Sequence, residues 1–275
     1  MNIQKIGFIG GGNMACSLVG GLVANGYPAD NITVSDLDVE KLKFLTDQFG
    51  VKTTQDSSAL ADHSDIIVLA IKPQHVESVC AQIKASVQSK KPLLVSIAAG
   101  IREATLEKWL GEGLPIVRCM PNTPALVQAG ASGLYANSTV SDQQRDQTES
   151  LLRAVGVTVW VSEEQQIDAV TALSGSGPAY FFLVMEALET AAIEAGLDQK
   201  TAQLLTQETA LGAAKMALAS NDSASILRQR VTSPGGTTEK ALAVMEEAGL
   251  RAIYSKAVLA AKERSIELSD ELGGC

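Results

Sequence analysis

Apolar residues in the first half of the chain fall in short, nearly unbroken runs, separated by more polar stretches with helical spacing. Residues 5–9, 32–35, 66–71 and 93–97 have the length and composition of buried strands. The run Ile66-Ile67-Val68-Leu69-Ala70-Ile71 has no polar position, as a central parallel strand covered on both faces requires. Between the runs, 16–25 carries Leu18, Leu22 and Val23 at helical spacing, and Pro73 suits the first turn of a helix. A helix over 103–110, strand 116–119, a strand at Leu134-Tyr135, helix 142–155 and strand 157–161 continue the alternation. Strand and helix alternating in this way predict a doubly wound sheet.

The pattern changes near Ser162-Glu163-Glu164, after which the spacing predicts only helices, at 164–173, 178–195, 199–219, 223–230, 237–248 and 250–271. The expected fold class is therefore α/β. An N-terminal Rossmann doubly wound sheet over residues 1–162 would be followed by an all-α C-terminal domain over 163–275. Thr209 to Ala219 is small or apolar on nearly every face, so it needs partners on all sides. A second copy of the chain is expected to supply them, which makes the helical part a dimerisation domain.

Candidate chemistry begins at the first strand. Gly10, Gly12 and Ala15 occupy the small positions of G-x-G-x-x-G/A between that strand and its helix, the context the motif needs. Gly10 permits a tight turn and Gly12 lets backbone approach a pyrophosphate. The helix start at Asn13 and Met14 aims N–H groups at the phosphates. The second strand ends in Asp36, where a carboxylate meets an adenosine ribose. Three further stretches lie at strand ends: Lys72-Pro73, Ala98-Ala99-Gly100 and Met120-Pro121-Asn122-Thr123-Pro124. Small residues at the second would admit a flat ring, and the third offers an Asn amide and a Thr hydroxyl. Together they predict a nicotinamide pocket.

In the helical half, Ser233-Pro234-Gly235-Gly236-Thr237-Thr238 strips side chains away just where a helix begins. Its N–H groups and Thr hydroxyls could then converge on an anion such as a carboxylate. Thr171, just before Ser174-Gly175-Ser176-Gly177-Pro178, could point a hydroxyl into the same cleft. Neither His63 nor His75 lies in any of these stretches, so the acid–base histidine of a hydroxyacid dehydrogenase has no candidate. An iminium acceptor already carries its proton, so the pattern favours C=N over C=O reduction.

Composition narrows this further. A net charge of −9 without a Lys/Arg cluster argues against a nucleic-acid partner. With four scattered cysteines and two histidines, no metal site and a reducing, cytoplasmic location are expected. The first strand starts too early for a secretory signal, and the longest apolar runs are too short for a membrane span.

These motifs together resemble the pyrroline-5-carboxylate reductases, over nearly the whole chain. The likeness rests on the glycine turn, Lys72-Pro73, 96–100, 118–125, Leu173 to Tyr180, 212–216 and Ser233 to Thr238. It implies reduction of 1-pyrroline-5-carboxylate to L-proline by NADPH or NADH, the last step of proline biosynthesis. It also implies a helical domain interlocked between two subunits, with dimers assembled further, commonly to decamers. By the same resemblance Ser233, Gly236, Thr237 and Thr238, from the partner subunit, hold the substrate carboxylate. Thr171 would lie near the ring nitrogen, which makes it and Thr238 the catalytic candidates. Met120, Pro121, Asn122 and Ala99 would wall the nicotinamide.

Asp36 departs from members that prefer NADPH, since a carboxylate favours the NADH ribose and repels a 2′-phosphate; Lys41 or Lys43 could offset it. Two alternatives stay open. One is reduction of another cyclic imine or a hydroxyacid, although no Lys follows Gly177 within four residues as the hydroxyacid enzymes require. The other is a non-catalytic dinucleotide-binding regulator, which has no use for an anion clamp.

Overall fold

The structure, a computed structural model, describes residues 3–273. In chain order the first part runs β1 (Ile6–Ile9), α1 (Asn13–Ala24), β2 (Ile32–Ser35), α2 (Val39–Phe49), β3 (Lys52–Thr54), α3 (Ser57–His63), β4 (Ile66–Leu69) and α4 (Val76–Lys90). It continues through β5 (Leu93–Ser96), α5 (Glu103–Leu110), β6 (Ile116–Met120), β7 (Gly130–Ala136), α6 (Asp142–Arg153) and β8 (Gly156–Trp160). Then come α7 (Gln166–Val170), a π-helical turn (Thr171–Gly175), α8 (Gly177–Glu194), α9 (Gln199–Ala219), α10 (Ala224–Arg230), α11 (Thr237–Glu247) and α12 (Leu250–Gly273).

The strands form one sheet in the order β3-β2-β1-β4-β5-β6-β7-β8. All neighbours pair in parallel except β6 and β7, so the last two strands run against the rest. The order reverses at β1, which lies between β2 and β4, and a crevice opens there at the strands' C-terminal ends. Alternate residues feed two cores. Phe8, Val34, Val68 and Val95 pack with Leu18 and Leu22 of α1, while Ile9, Ile67, Leu69 and Leu94 pack with Val76, Cys80 and Ile83 of α4. Each such side chain, buried fully, contributes about 1.5–3 kcal/mol.

Helix ends are set locally. The Asp38 carboxylate accepts from the N–H groups of Glu40 and Lys41 at the start of α2, and left-handed Gly50 ends that helix. Asp56 caps α3 in the same way, and Ser141 with Gln144 forms a capping box on α6.

Packing divides the chain into two compact units. One reaches to Ser176 and takes in the chain again from Ala260; the other is Gly177–Leu259. This division does not coincide with the expected segments 1–162 and 163–275. In the first unit α7 lies on β7, where Val170 occupies the space a Cβ on Gly133 would need, at 2.6 Å. The end of α12 returns to the same unit: Ser265 donates to the buried Asp168 (2.6 Å), Arg102 pairs with Asp270 (2.8 Å) and Leu272 joins the second core.

The helical unit keeps much apolar surface. In α9 only Ala202 and Thr206 are buried, whereas Leu211, Met216 and Leu218 are exposed. Phe181, Phe182 and Leu183 of α8 are exposed as well. The longest unbroken apolar runs stay too short to span a bilayer, but one helical stretch is long and apolar enough by length and composition. Within the helical stretch Gln166–Glu194, 18 consecutive residues reach a mean hydropathy of 1.2. Ala, Gly, Ser and Thr interrupt its apolar runs in the sequence, which hid its length.

Candidate active site

The glycine turn adopts the geometry its spacing predicts. Gly10 has φ +102°, and a Cβ there would stand 2.4 Å from the carbonyl oxygen of Ala70. Gly12 caps α1 in extended conformation, and a Cβ on it would meet nothing within 4 Å. That open space lies before the helix N-terminus, where Cys16 makes the first helical bond to the carbonyl of Gly12 (2.9 Å). The N–H groups of Asn13, Met14 and Ala15 precede that bond, the arrangement that receives a phosphate.

Asp36 sits beside the turn with its side chain 17% exposed. Its Oδ2 accepts the Gly11 N–H (2.7 Å) and its Oδ1 the Asp38 N–H (2.9 Å), which fixes the carboxylate. Lys41 Nζ stands 3.8 Å from Asp36 and 3.6 Å from Asp38. Gly10, Gly12, Asp36, Lys41 and Lys72 line one cavity of about 450 Å³, together with Gln55, Ser57, His75 and Gln82. A dinucleotide fits these residues: open space at Gly12, free helix-start N–H groups and an oriented carboxylate.

A second cavity, of about 470 Å³, gathers Pro73, Ala99, Gly100, Thr171 and Ser176 with Arg264, Ser265, Leu268 and Leu272 of α12. Thr171 begins the π turn. Its hydroxyl donates to the Ile167 carbonyl (2.8 Å), so its remaining capacity is as an acceptor. Ser174 donates likewise to Val170 (3.1 Å), and the Ser176 N–H closes the turn on the Thr171 carbonyl (2.8 Å).

The β6 end supports this turn. Met120 Cε would lie 2.6 Å from a Cβ on Gly175. Asn122 donates from Nδ2 to the Ser174 carbonyl (3.1 Å) and accepts the Ala131 N–H on Oδ1 (2.9 Å). The amide expected to face a carboxamide is thus engaged within the protein, with one N–H left. Pro121 is buried beside it, and Ala98 belongs to the core below Ala99. Beneath the site, Arg118 of β6 pairs with Glu164 (2.7 Å), which also accepts the Glu103 N–H (2.6 Å). Burial raises the Glu103 carboxyl above the usual range; Asn137 lowers it, the charges of Glu107 and Glu164 raise it, and Arg118 lowers it.

The loop Ser233 to Thr238 lies in the other compact unit. Gly236 caps α11, and a Cβ there would displace Ser233, whose Oγ would stand 2.6 Å away and whose carbonyl oxygen 3.1 Å away. Two of its N–H groups are used internally, Gly235 to the Glu239 carboxylate (2.7 Å) and Gly236 to the Ser233 carbonyl (3.1 Å). Lys240 makes the first α11 bond, so Thr237, Thr238 and Glu239 carry the helix-start N–H groups.

Sequence reasoning missed several lining residues. His75 faces the dinucleotide cavity, next to the Lys72-Pro73 turn. Gln55 and Ser57 follow the overlooked strand β3, and Arg264 and Ser265 arrive from the chain's far end. Cys80 is buried among core residues that push its thiol up to about 12, and Cys119 is raised by burial too. Among the described residues no group of three or more metal-ligating side chains occurs.

The comparisons agree with this geometry. The family signature described as pyrroline-5-carboxylate reductase dimerisation matches residues 164–268, and that described as NADP oxidoreductase, coenzyme F420-dependent, matches residues 5–100. A pyrroline-5-carboxylate reductase of Pseudomonas aeruginosa is 49% identical over 99% of this chain and 100% of its own. The solved pyrroline-5-carboxylate reductase of Coxiella burnetii superposes with a TM-score of 0.95 at 51% identity, covering 98% of this chain and 99% of that one. A Plasmodium falciparum pyrroline carboxylate reductase, solved with NADP bound, gives 0.85 at 31% identity, with 98% and 99% covered. With a dinucleotide turn, a threonine-lined cavity and likeness along essentially its full length, the chain belongs to the pyrroline-5-carboxylate reductase family.

Proposed function

We propose how the residues of this chain divide the work of the family's reaction, reduction of 1-pyrroline-5-carboxylate to L-proline by hydride transfer to a C=N bond. The observation that carries the assignment is the Thr171 hydroxyl. While its hydrogen goes to the Ile167 carbonyl, its oxygen is left to accept from a ligand. A protonated imine nitrogen is a donor and suits it; a carbonyl oxygen awaiting a proton does not. No histidine lines the cavity that holds Thr171, which agrees with a substrate bringing its own proton.

Bound NADH or NADPH supplies the hydride. Gly10, Gly12, Asn13 and Met14 would hold its phosphates, Asp36 its adenosine ribose, and Lys72 and Pro73 the rim above β4. Ala99, Met120 and Pro121 would wall the nicotinamide, with Ala98 below and Asn122 behind them. Ser233, Gly236, Thr237 and Thr238, contributed by a second copy of the chain, would clamp the substrate carboxylate, supported by the helix-start N–H groups of α11. Catalysis then rests on holding the imine carbon in a near-attack position rather than on a strong acid.

On this reading residues 1–162 bind the dinucleotide and 163–275 serve dimerisation and substrate binding. The exposed apolar faces of α8 and α9, within the segment that matches the dimerisation signature, support a second copy rather than a membrane as their cover. Assembly would be isologous within a dimer, extending to a higher homo-oligomer such as a decamer. Nucleic acid is not a partner, and the location is cytoplasmic. The test is loss of nicotinamide absorbance with racemic pyrroline-5-carboxylate, NADH and NADPH in parallel. Proline-forming turnover is expected; tight cofactor binding without turnover would refute the substrate assignment.

A further inference from the structure

Asn122 joins the end of β6, the start of β7 and the turn that carries Thr171, and we infer that it is a positioning residue for the Thr171 hydroxyl. Its amide orientation is set by chemistry: Oδ1 must face the Ala131 N–H (2.9 Å) and Nδ2 the Ser174 carbonyl (3.1 Å), and only one orientation satisfies both. The Ser174 carbonyl has no α-helical donor of its own. Four residues further on stands Pro178, which has no N–H to give it.

The turn that Asn122 holds is wound as a π helix, with the Ser176 N–H reaching back five residues to Thr171 (2.8 Å). Such single turns interrupt helices mostly at functional sites. Met120 packs against Gly175 from the same strand end, so β6 supports the turn at two adjacent residues. Displacing the Ser174 carbonyl would shift the turn and, with it, the oxygen Thr171 presents to the cavity.

The inference rests on the assignment of Thr171 to the ring nitrogen, and a double-mutant cycle separates the two. Asn122→Asp keeps an acceptor for Ala131 but offers Ser174 no donor; Thr171→Val removes the hydroxyl at nearly constant shape. For N122D, T171V and the double variant, kcat and both KM values are measured, with NADH affinity read separately by fluorescence titration. N122D is expected to lower kcat about tenfold while NADH affinity stays within about twofold. The double variant should be no more than about twofold below T171V alone, because the two act as one unit. Additive losses would overturn the positioning role while leaving Thr171 in place. Weakened NADH binding with kcat intact would overturn it in favour of a direct cofactor contact. Wild-type kcat in T171V would remove the Thr171 assignment and the inference with it. Should N122D not fold, N122S, whose short hydroxyl retracts from Ser174, is expected to give the same kcat-selective loss, and its absence would refute the proposal.

Discussion

Replacing Asp36 by Ser is expected to invert the chain's choice between its two cofactors. The carboxylate is fixed by the N–H groups of Gly11 and Asp38, so it cannot swing away from a 2′-phosphate. At about 5 Å and an effective dielectric of about 20, one unit of like charge costs about 3 kcal/mol. Lys41, 3.8 Å from Asp36 but half exposed, offsets part of this and leaves about 1.5 kcal/mol against NADPH, or about tenfold. Losing a charge-assisted bond to the ribose diol costs NADH about 1.5–3 kcal/mol, about ten- to a hundredfold. The ratio of kcat/KM for NADPH over NADH should therefore rise by about two to three powers of ten. Initial rates with each cofactor at saturating imine measure it, and the wild-type protein should use NADH at least as well as NADPH. A strong wild-type preference for NADPH would refute the reasoning. So would a D36S variant in which both KM values rise equally, since Asp36 would then only brace the Gly11 turn.

Thr238→Ala is expected to raise the apparent KM for pyrroline-5-carboxylate at least about tenfold with cofactor affinity unchanged; a fall in NADH affinity instead would displace the carboxylate clamp from this loop. Arg118→Met strands the Glu164 carboxylate in a largely buried setting and should cost about 3–5 kcal/mol, seen as a lower Tm at neutral pH. The raised Glu103 carboxyl sets the sign of its pH dependence. A carboxyl held above its unfolded value is unpenalised when protonated and destabilises as pH rises through the folded value, so the variant's deficit should shrink on acidification. Phe182→Lys on the exposed α8 face should lower the assembly's mass in sedimentation; unchanged mass would place the interface elsewhere.

The legible elements were those whose burial is complete or whose ends carry chemical punctuation. β2 and α5 fall at the expected residues because Ile32 and Val34 are wholly buried and Gly111 stops the helix. β3 escaped notice because Lys52, Thr53 and Thr54 form a half-exposed edge with no apolar run to mark it. β7 was visible only at Leu134-Tyr135, since Gly130 to Gly133 are small residues packed against Val170 and Ala125. Its reversed direction depends on partner register, which no local pattern encodes. The π turn reads in sequence as a glycine break, because one of the bonds on it comes from the amide of Asn122, distant in the chain. The glycine turn and Asp36 were legible because backbone conformation and charge are local properties. The wall that α12 contributes was not.

That returning helix bears on when the molecule becomes an enzyme during its own synthesis. The sheet unit is interrupted at Ser176 and completed only from Ala260, so the ribosome must make Gly177–Leu259 before the missing piece exists. At about 5–20 residues per second this takes roughly 4–17 s, during which a nascent chain can bury its strands but lacks Arg264, Ser265 and Leu268 beside Thr171. The dinucleotide turn, by contrast, is made before that interval begins. Cofactor binding can thus precede the finished cavity, and a chain truncated before Ala260 would hold a nucleotide without the pocket that uses it.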